Sequence, residues 1–192
     1  MDLKFLSAKV FFLVAICSGR RIGELGALLS SPPFLRILSD KVILRPAPSF
    51  LPKVHSVFHR AEDIVLPVFF SDPQDEVQRQ LHTLDVRRAL LIYLARTKPF
   101  CKVDCLFVTY GTAGKGFHPS SSTLSRWVKV AICESYHHAG LSLPGVVQGR
   151  STRGHSASWA SFKGASLRDV CCATTWATLT LSCFIIVLRL MI

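Results

Sequence analysis

Ser30-Ser31-Pro32-Pro33 divides the front of this 192-residue chain into two kinds of polymer. Proline cannot continue a helix and disfavours helix in the residue before it, so the first helical stretch has to stop there. Ahead of the break, Leu6, Val10, Leu13, Val14 and Cys17 fall at the spacing of one helix face. That spacing predicts a core-facing N-terminal helix running to about Leu29. Behind the break, Leu35 to Leu38, Lys41 to Leu44 and Ile64 to Pro67 are short strand-like runs. Turn signals at Ser39-Asp40 and the proline-rich stretch Pro46 to Pro52 separate them, which predicts a small antiparallel sheet over residues 35 to 67. From Asp75 the pattern returns to helix, with Val86, Leu90, Tyr93 and Leu94 on one face until Lys98-Pro99. A brief Leu106-Phe107-Val108 strand leads into the loop Gly111 to Pro119. Leu124, Trp127, Val128, Ala131, Ile132 and Tyr136 then form a helical stripe that belongs in a core, and Gly140 can close it. A further helix runs through Trp159 to Lys163 and ends at Gly164. Ser166-Leu167-Arg168-Asp169 has the form of a capping box, so another helix is expected from Leu167. The fold class predicted is α+β and mainly α, a helical bundle with a small antiparallel sheet, and no domain boundary falls before Trp176.

Charge narrows the partners. The formal net charge of +11 suits a polyanion, either nucleic acid or an anionic membrane. Seven cysteines, with no Cys-x-x-Cys pair, fit neither a secreted disulfide framework nor a zinc site, and point to a reducing intracellular compartment. No cofactor or metal is implied. Met1 to Ser18 superficially resembles a signal peptide, but Lys9 interrupts its apolar run. Leu179 to Ile192 is apolar yet contains Arg189, and it is shorter than the roughly 18 to 20 residues that span a bilayer. Two classes of protein fit these limits, a nucleic-acid-binding domain and a non-enzymatic, membrane-associated basic protein. They differ over Phe11 to Ile16, which the first buries in a core and the second exposes to lipid.

Ser18-Gly19-Arg20-Arg21-Ile22-Gly23-Glu24-Leu25, Gly149-Arg150-Ser151-Thr152-Arg153-Gly154, and Gly164-Ala165-Ser166-Leu167-Arg168-Asp169-Val170 followed by Thr174-Thr175-Trp176 occur in this order along the chain. Together they resemble the boxes of the tyrosine recombinases of phage-integrase type, closest to the recombinases of DIRS-like retrotransposons, over roughly residues 3 to 176. The resemblance implies a catalytic-domain fold, DNA as partner, other recombinase protomers as further partners, and a nuclear location. It makes Arg21 the first-box arginine and Arg153 the arginine of the His-x-x-Arg box, with Arg150 standing in the histidine position. Lys53, in the hairpin from Leu44-Arg45-Pro46 to Pro52-Lys53-Val54, becomes the candidate general acid; a solvated turn lysine is the other reading. Trp176 matches a late His/Trp position whose ring N–H donates a hydrogen bond, or it is core packing. The chemistry asks for these residue types. A pentavalent phosphorane gains negative charge in the transition state, and the planar guanidinium fork matches two phosphate oxygens without deprotonating.

The nucleophile is missing from the pattern. Ile186 stands where the resemblance places a tyrosine, and no tyrosine follows Tyr136. Without it the covalent 3'-phosphotyrosine cannot form, so the chain is expected to be catalytically inactive. Ser182 and Cys183 are the conceivable substitutes. Degenerate codons for Thr178 to Ile185, read two bases later, can encode Pro-His-Thr-Phe and then a Phe-Tyr pair, which resembles the family's terminal box. The expectation is a domain over 1–176 without an N-terminal clamp domain, followed by an aberrant, frameshifted apolar tail over 177–192, in a remnant of a mobile element.

Overall fold

The computed structural model describes residues 2–51, 63–68, 72–143, 145–149, 151–166 and 168–170. Lys53, Arg150, Trp176, Ile186, Ser182 and Cys183 lie outside them. The elements run α1 (Leu3–Ser18), α2 (Ile22–Gly26), β1 (Leu35–Ile37), β2 (Lys41–Leu44), β3 (Ile64–Pro67), α3 (Glu76–His82), α4 (Val86–Thr97), α5 (Ser121–His138) and α6 (Ser151–Phe162). The fold is mainly helical with one three-stranded antiparallel sheet, as predicted.

The sheet has the order β1-β2-β3, with Leu35 opposite Leu44 and Val42 opposite Leu66. Val42, Leu44, Ile64 and Leu66 are buried while Val65 and Pro67 are exposed, the alternation of a sheet with one face on the core. α1 is the central element, packed against α4, α5, α6 and β3. Its Phe11 ring meets Phe107 edge-on at 4.9 Å and Trp127 at 6.2 Å, and Tyr110 stacks on Trp127 at 5.5 Å. Phe11, Leu13, Val14 and Ala15 are buried in this core. That is the placement required by the nucleic-acid-binding class and not by the membrane-associated one. No described helix is long and apolar enough to cross a membrane.

Three elements differ from the sequence prediction. The N-terminal helix does not reach Leu29; it ends at Ser18, because Gly19 turns left-handed (φ 62°) and donates its N–H to Ala15 O. Glycine has no Cβ to oppose that conformation. The helix predicted from Asp75 is two helices, since the Asp85 side chain accepts the Arg88 N–H and starts α4 afresh. Leu106 to Val108 is buried but forms no strand; its backbone is satisfied singly, by Leu28 O for the Leu106 N–H and by the Tyr93 hydroxyl for the Val108 N–H at 2.9 Å. Ladder pairing is not the only way to satisfy a buried backbone. Other expectations hold among the described residues: α5 buries Leu124, Trp127, Val128 and Ala131, with Ile132 and Tyr136 of the same stripe half-buried, Gly140 follows it at φ 65°, and Ser166 Oγ receives the Asp169 N–H at 3.1 Å; Leu167 lies outside the described residues.

Asp104 ties the Ser30-Ser31 turn to the loop after α4. Its Oδ1 accepts the N–H groups of Ser30 (3.2 Å) and Ser31 (2.9 Å) and the Ser30 hydroxyl (2.8 Å), while Oδ2 accepts the Ser31 hydroxyl. The Ser31 hydroxyl, ahead of the other donors, holds the Asp104 carboxyl below the usual carboxylate range. A depressed carboxyl stabilises the fold above its ordinary pKa, and that contribution is lost as pH falls through the folded value. Asp104→Asn should therefore lower the melting temperature at neutral pH by a small amount, on the order of 2 °C for so exposed a group. The difference from wild type should narrow as pH falls below the ordinary carboxylate range. Thermal melts across pH measure it, and a difference that persists unchanged into acid would refute the assignment.

Candidate functional site

The break between α1 and α2 creates the site. Ser18 Oγ donates to Val14 O at 2.6 Å, finishing α1, and accepts the Arg20 N–H at 3.3 Å across the Gly19 turn. Arg21 is extended (φ −72°, ψ 147°) and caps α2. Two consecutive arginines thus stand in the connection between one helix and the next. Arg20 is buried and its Nη1 donates to Glu24 Oε1 at 2.7 Å.

α5 and α6 bring the remaining walls. Ser120 caps α5 by accepting the Thr123 N–H at 3.2 Å, and the first turns of that helix present Ser121, Ser122 and Ser125. Packing of α2 against α5 is close: a Cβ on Gly26 would stand 3.0 Å from Leu124 Cδ1, and His118 Nε2 lies 2.8 Å from Gly26 O. α6 contributes Thr152 and Arg153. Together with Arg20, Arg21, Ile22 and Gly23 these side chains enclose an open cavity of about 630 Å³.

Electrostatics at its wall are strained. Burial pulls the Arg153 guanidinium down to about 10, and the positive charges of Arg21 and Arg20 add to the effect while Glu24 opposes it. An anion in the cavity would relieve that cost. Serine hydroxyls lining the same cavity can donate to the same anion.

Of the residues singled out in the sequence, Arg21 and Arg153 meet on this one cavity although they lie in different boxes. None of the three tyrosines lines it. Tyr93 is fully buried, with its phenol pushed up by burial and held against Val108; Tyr110 stacks on Trp127; Tyr136 lines a separate groove beside Phe12 and His155. Sequence reasoning missed Arg20, Ser121, Ser122, Ser125 and Thr152. For Arg20 the signal was present, a Glu24 four residues on; for the serines the only cue was Pro119 followed by three serines at the mouth of a helical stripe.

No family model and no curated protein matches the chain. Among solved structures it is similar to the site-specific recombinase XerH bound to difH substrate in a pre-cleavage complex, at 17% identity and a TM-score of 0.65, over 97% of this chain and 44% of that one. It is also similar to XerH bound to palindromic difH in a post-cleavage complex (16% identity, TM-score 0.62, 95% and 46% covered). The XerA recombinase gives 16% identity and a TM-score of 0.59, with 95% and 55% covered. The chain spans about half the length of these proteins. The fold it shares with them is that of the tyrosine-recombinase catalytic domain.

Proposed function

We propose that this chain is a recombinase-like DNA-binding domain whose cavity takes a backbone phosphate, and that it does not itself cleave DNA. One observation carries the reading: Arg21 and Arg153, far apart in sequence, line the same cavity at the junction of α1, α2, α5 and α6. The net charge of +11 and the likeness to site-specific recombinase XerH bound to its difH substrate support DNA as the anion. Binding should be weak, without sequence preference, and should fall steeply between low and physiological salt, because phosphate contacts supply it. Fluorescence anisotropy with a labelled random-sequence duplex tests this; an affinity indifferent to salt would contradict it.

Inactivity follows from the sequence slots. Ile186 replaces the nucleophile, and Arg150 cannot exchange a proton near neutral pH as a histidine can. With a nicked suicide duplex the chain should form no denaturation-resistant adduct. Ile186→Tyr alone should not restore one, since Leu179 to Ile192 lacks the flanking residues that would aim a phenol. An adduct from the unaltered chain would overturn this and direct attention to Ser182 or Cys183. Lys53 and Trp176 complete the proposed set of catalytic positions. We read the chain as an intracellular, nuclear remnant of a DIRS-like mobile element with a frameshifted tail after Trp176, able to associate with other recombinase protomers; the coding DNA decides the frameshift, because the alternative frame either restores the Pro-His-Thr-Phe string or does not.

A further inference from the structure

Residues 98–117, between α4 and α5, carry Lys98, Lys102 and Lys115 beside a single carboxylate, Asp104, whose two oxygens are taken up by Ser30 and Ser31. Among the described residues no carboxylate pairs with any of the three lysines. Two of them rest on rings instead: Lys102 Nζ stands 4.9 Å from the centre of the Phe117 ring, and Lys115 Nζ 4.6 Å from that of Phe100. Phe117 is 47% exposed, Phe100 is half-buried, and the lysines are exposed. The backbone fixes this arrangement. The Lys102 N–H donates to Gly116 O at 3.0 Å and the Gly116 N–H to Thr109 O at 2.8 Å. Gly116 is left-handed (φ 85°), and a Cβ on it would collide with the Phe100 carbonyl oxygen, so only glycine lets the two ends of the segment press together. The segment also leads into the cavity. Ser121, on the cavity wall, follows Phe117 by four residues, and His118 between them is fixed with Nε2 2.8 Å from Gly26 O. Four residues reach at most about 14 Å, or about four nucleotides at the rise of one DNA strand.

We propose that this segment is a stacking platform for unpaired DNA bases, so that the chain takes a single-stranded stretch beside the phosphate held in the cavity. The inference rests on the phosphate reading of the cavity for its placement, but not for its chemistry. Every base has a π-face, so a phenylalanine ring accepts any of them, and the lysines move to the adjoining phosphates. An exposed cation–π contact is weaker than a base–aromatic stack, so the exchange is favourable. Paired bases are already stacked and offer the ring nothing. The platform therefore separates a single strand from a duplex, and an acidic peptide would meet the lysines while leaving the rings unused.

Anisotropy with three labelled probes tests this at one ionic strength: a blunt duplex, oligothymidylate, and a phosphodiester strand of the same length without bases. The full chain should bind oligothymidylate at least about fivefold more tightly than the baseless strand, whose charge is equal. Phe117→Ala should weaken oligothymidylate binding on the order of tenfold and leave the other two probes within about twofold. Lys102→Gln combined with Lys115→Gln should remove about 1.4 units from the salt slope for oligothymidylate. Circular dichroism checks folding; where Phe117→Ala does not fold, Phe117→Leu, which keeps an apolar side chain without a π-face, takes its place. Equal affinity for oligothymidylate and the baseless strand overturns the proposal. So does a Phe117 variant that weakens all three probes alike, or none of them. Arg21→Ala separates the platform from the phosphate reading. Duplex binding indifferent to Arg21, with the Phe117 effect intact, overturns the phosphate reading and upholds the platform; duplex binding that depends on Arg21, with no Phe117 effect, does the reverse.

Discussion

Arg153→Met should bind DNA about tenfold more weakly than wild type at physiological salt while melting at the same temperature or a few degrees higher. The two effects have one cause. Arg153 is held as a cation in a partly buried place beside Arg21 and Arg20, and burial is the main reason its guanidinium is pulled down to about 10. A base whose folded pKa lies below its ordinary value costs stability as long as it is charged, throughout the range below about pH 10, and the cost is relieved as pH rises through that value. Methionine fills similar volume without a charge. The stability gain should therefore be present at neutral pH and shrink toward pH 10 and above. Phosphate reverses the balance, because an anion in the cavity favours the charged form. Combining Arg153→Met with Arg21→Ala should lower affinity on the order of a hundredfold and remove about two units of slope from the plot of log affinity against log salt. Unchanged affinity and slope would take Arg153 out of the interface. A melting temperature lower by many degrees would make it a structural strut instead.

Periodicity and proline placement made most of the architecture legible. β2 and β3 begin and end where the apolar runs do, and α5 buries Leu124, Trp127, Val128 and Ala131 of the stripe that its spacing marks, while Ile132 and Tyr136 are half-buried along a groove. Where the sequence misled, a local competitor defeated a continuous pattern. The apolar face that suggested one N-terminal helix running to about Leu29 is interrupted by a single glycine, and the Asp85 carboxylate divides another helix by offering its next turn a better cap than continuation would. Leu106 to Val108 read as a strand because it is apolar and short; those are equally the properties of a buried connection. The site was half legible. Arg21 and Arg153 were found because they stand in ordered boxes, whereas Ser125 and Thr152 reach the cavity only because α5 and α6 both pack on α1, a tertiary fact that no spacing along the chain encodes.

The contact between the entry of α6 and α5 is the target of a damaging single methyl group. Gly149 is buried immediately before α6, and a Cβ there would stand 2.7 Å from the Ser125 carbonyl oxygen, 3.0 Å from Ser125 Cα and closer still to Ser125 Oγ. The hydroxyl could rotate away; the backbone of a packed helix could not. Gly149→Ala must then push the entry of α6 off α5, at a cost of about 1–3 kcal/mol for an overpacked interior, or several degrees in melting temperature for a chain of this size. Because Ser125 and Arg153 line the cavity from those two helices, the same displacement should carry Arg153 away from Arg21 and lower DNA affinity on the order of tenfold, as misplacement of a binding group by an ångström can do. Adding Ser125→Gly relieves the hydroxyl but neither backbone contact, so it should restore less than half of either loss. Gly111→Ala, where a Cβ meets nothing within 4 Å, serves as the control and should leave melting and binding as they are. A Gly149→Ala protein that melts and binds like wild type would mean that α6 does not enter against Ser125, and the convergence of Arg21 and Arg153 would lose its structural basis.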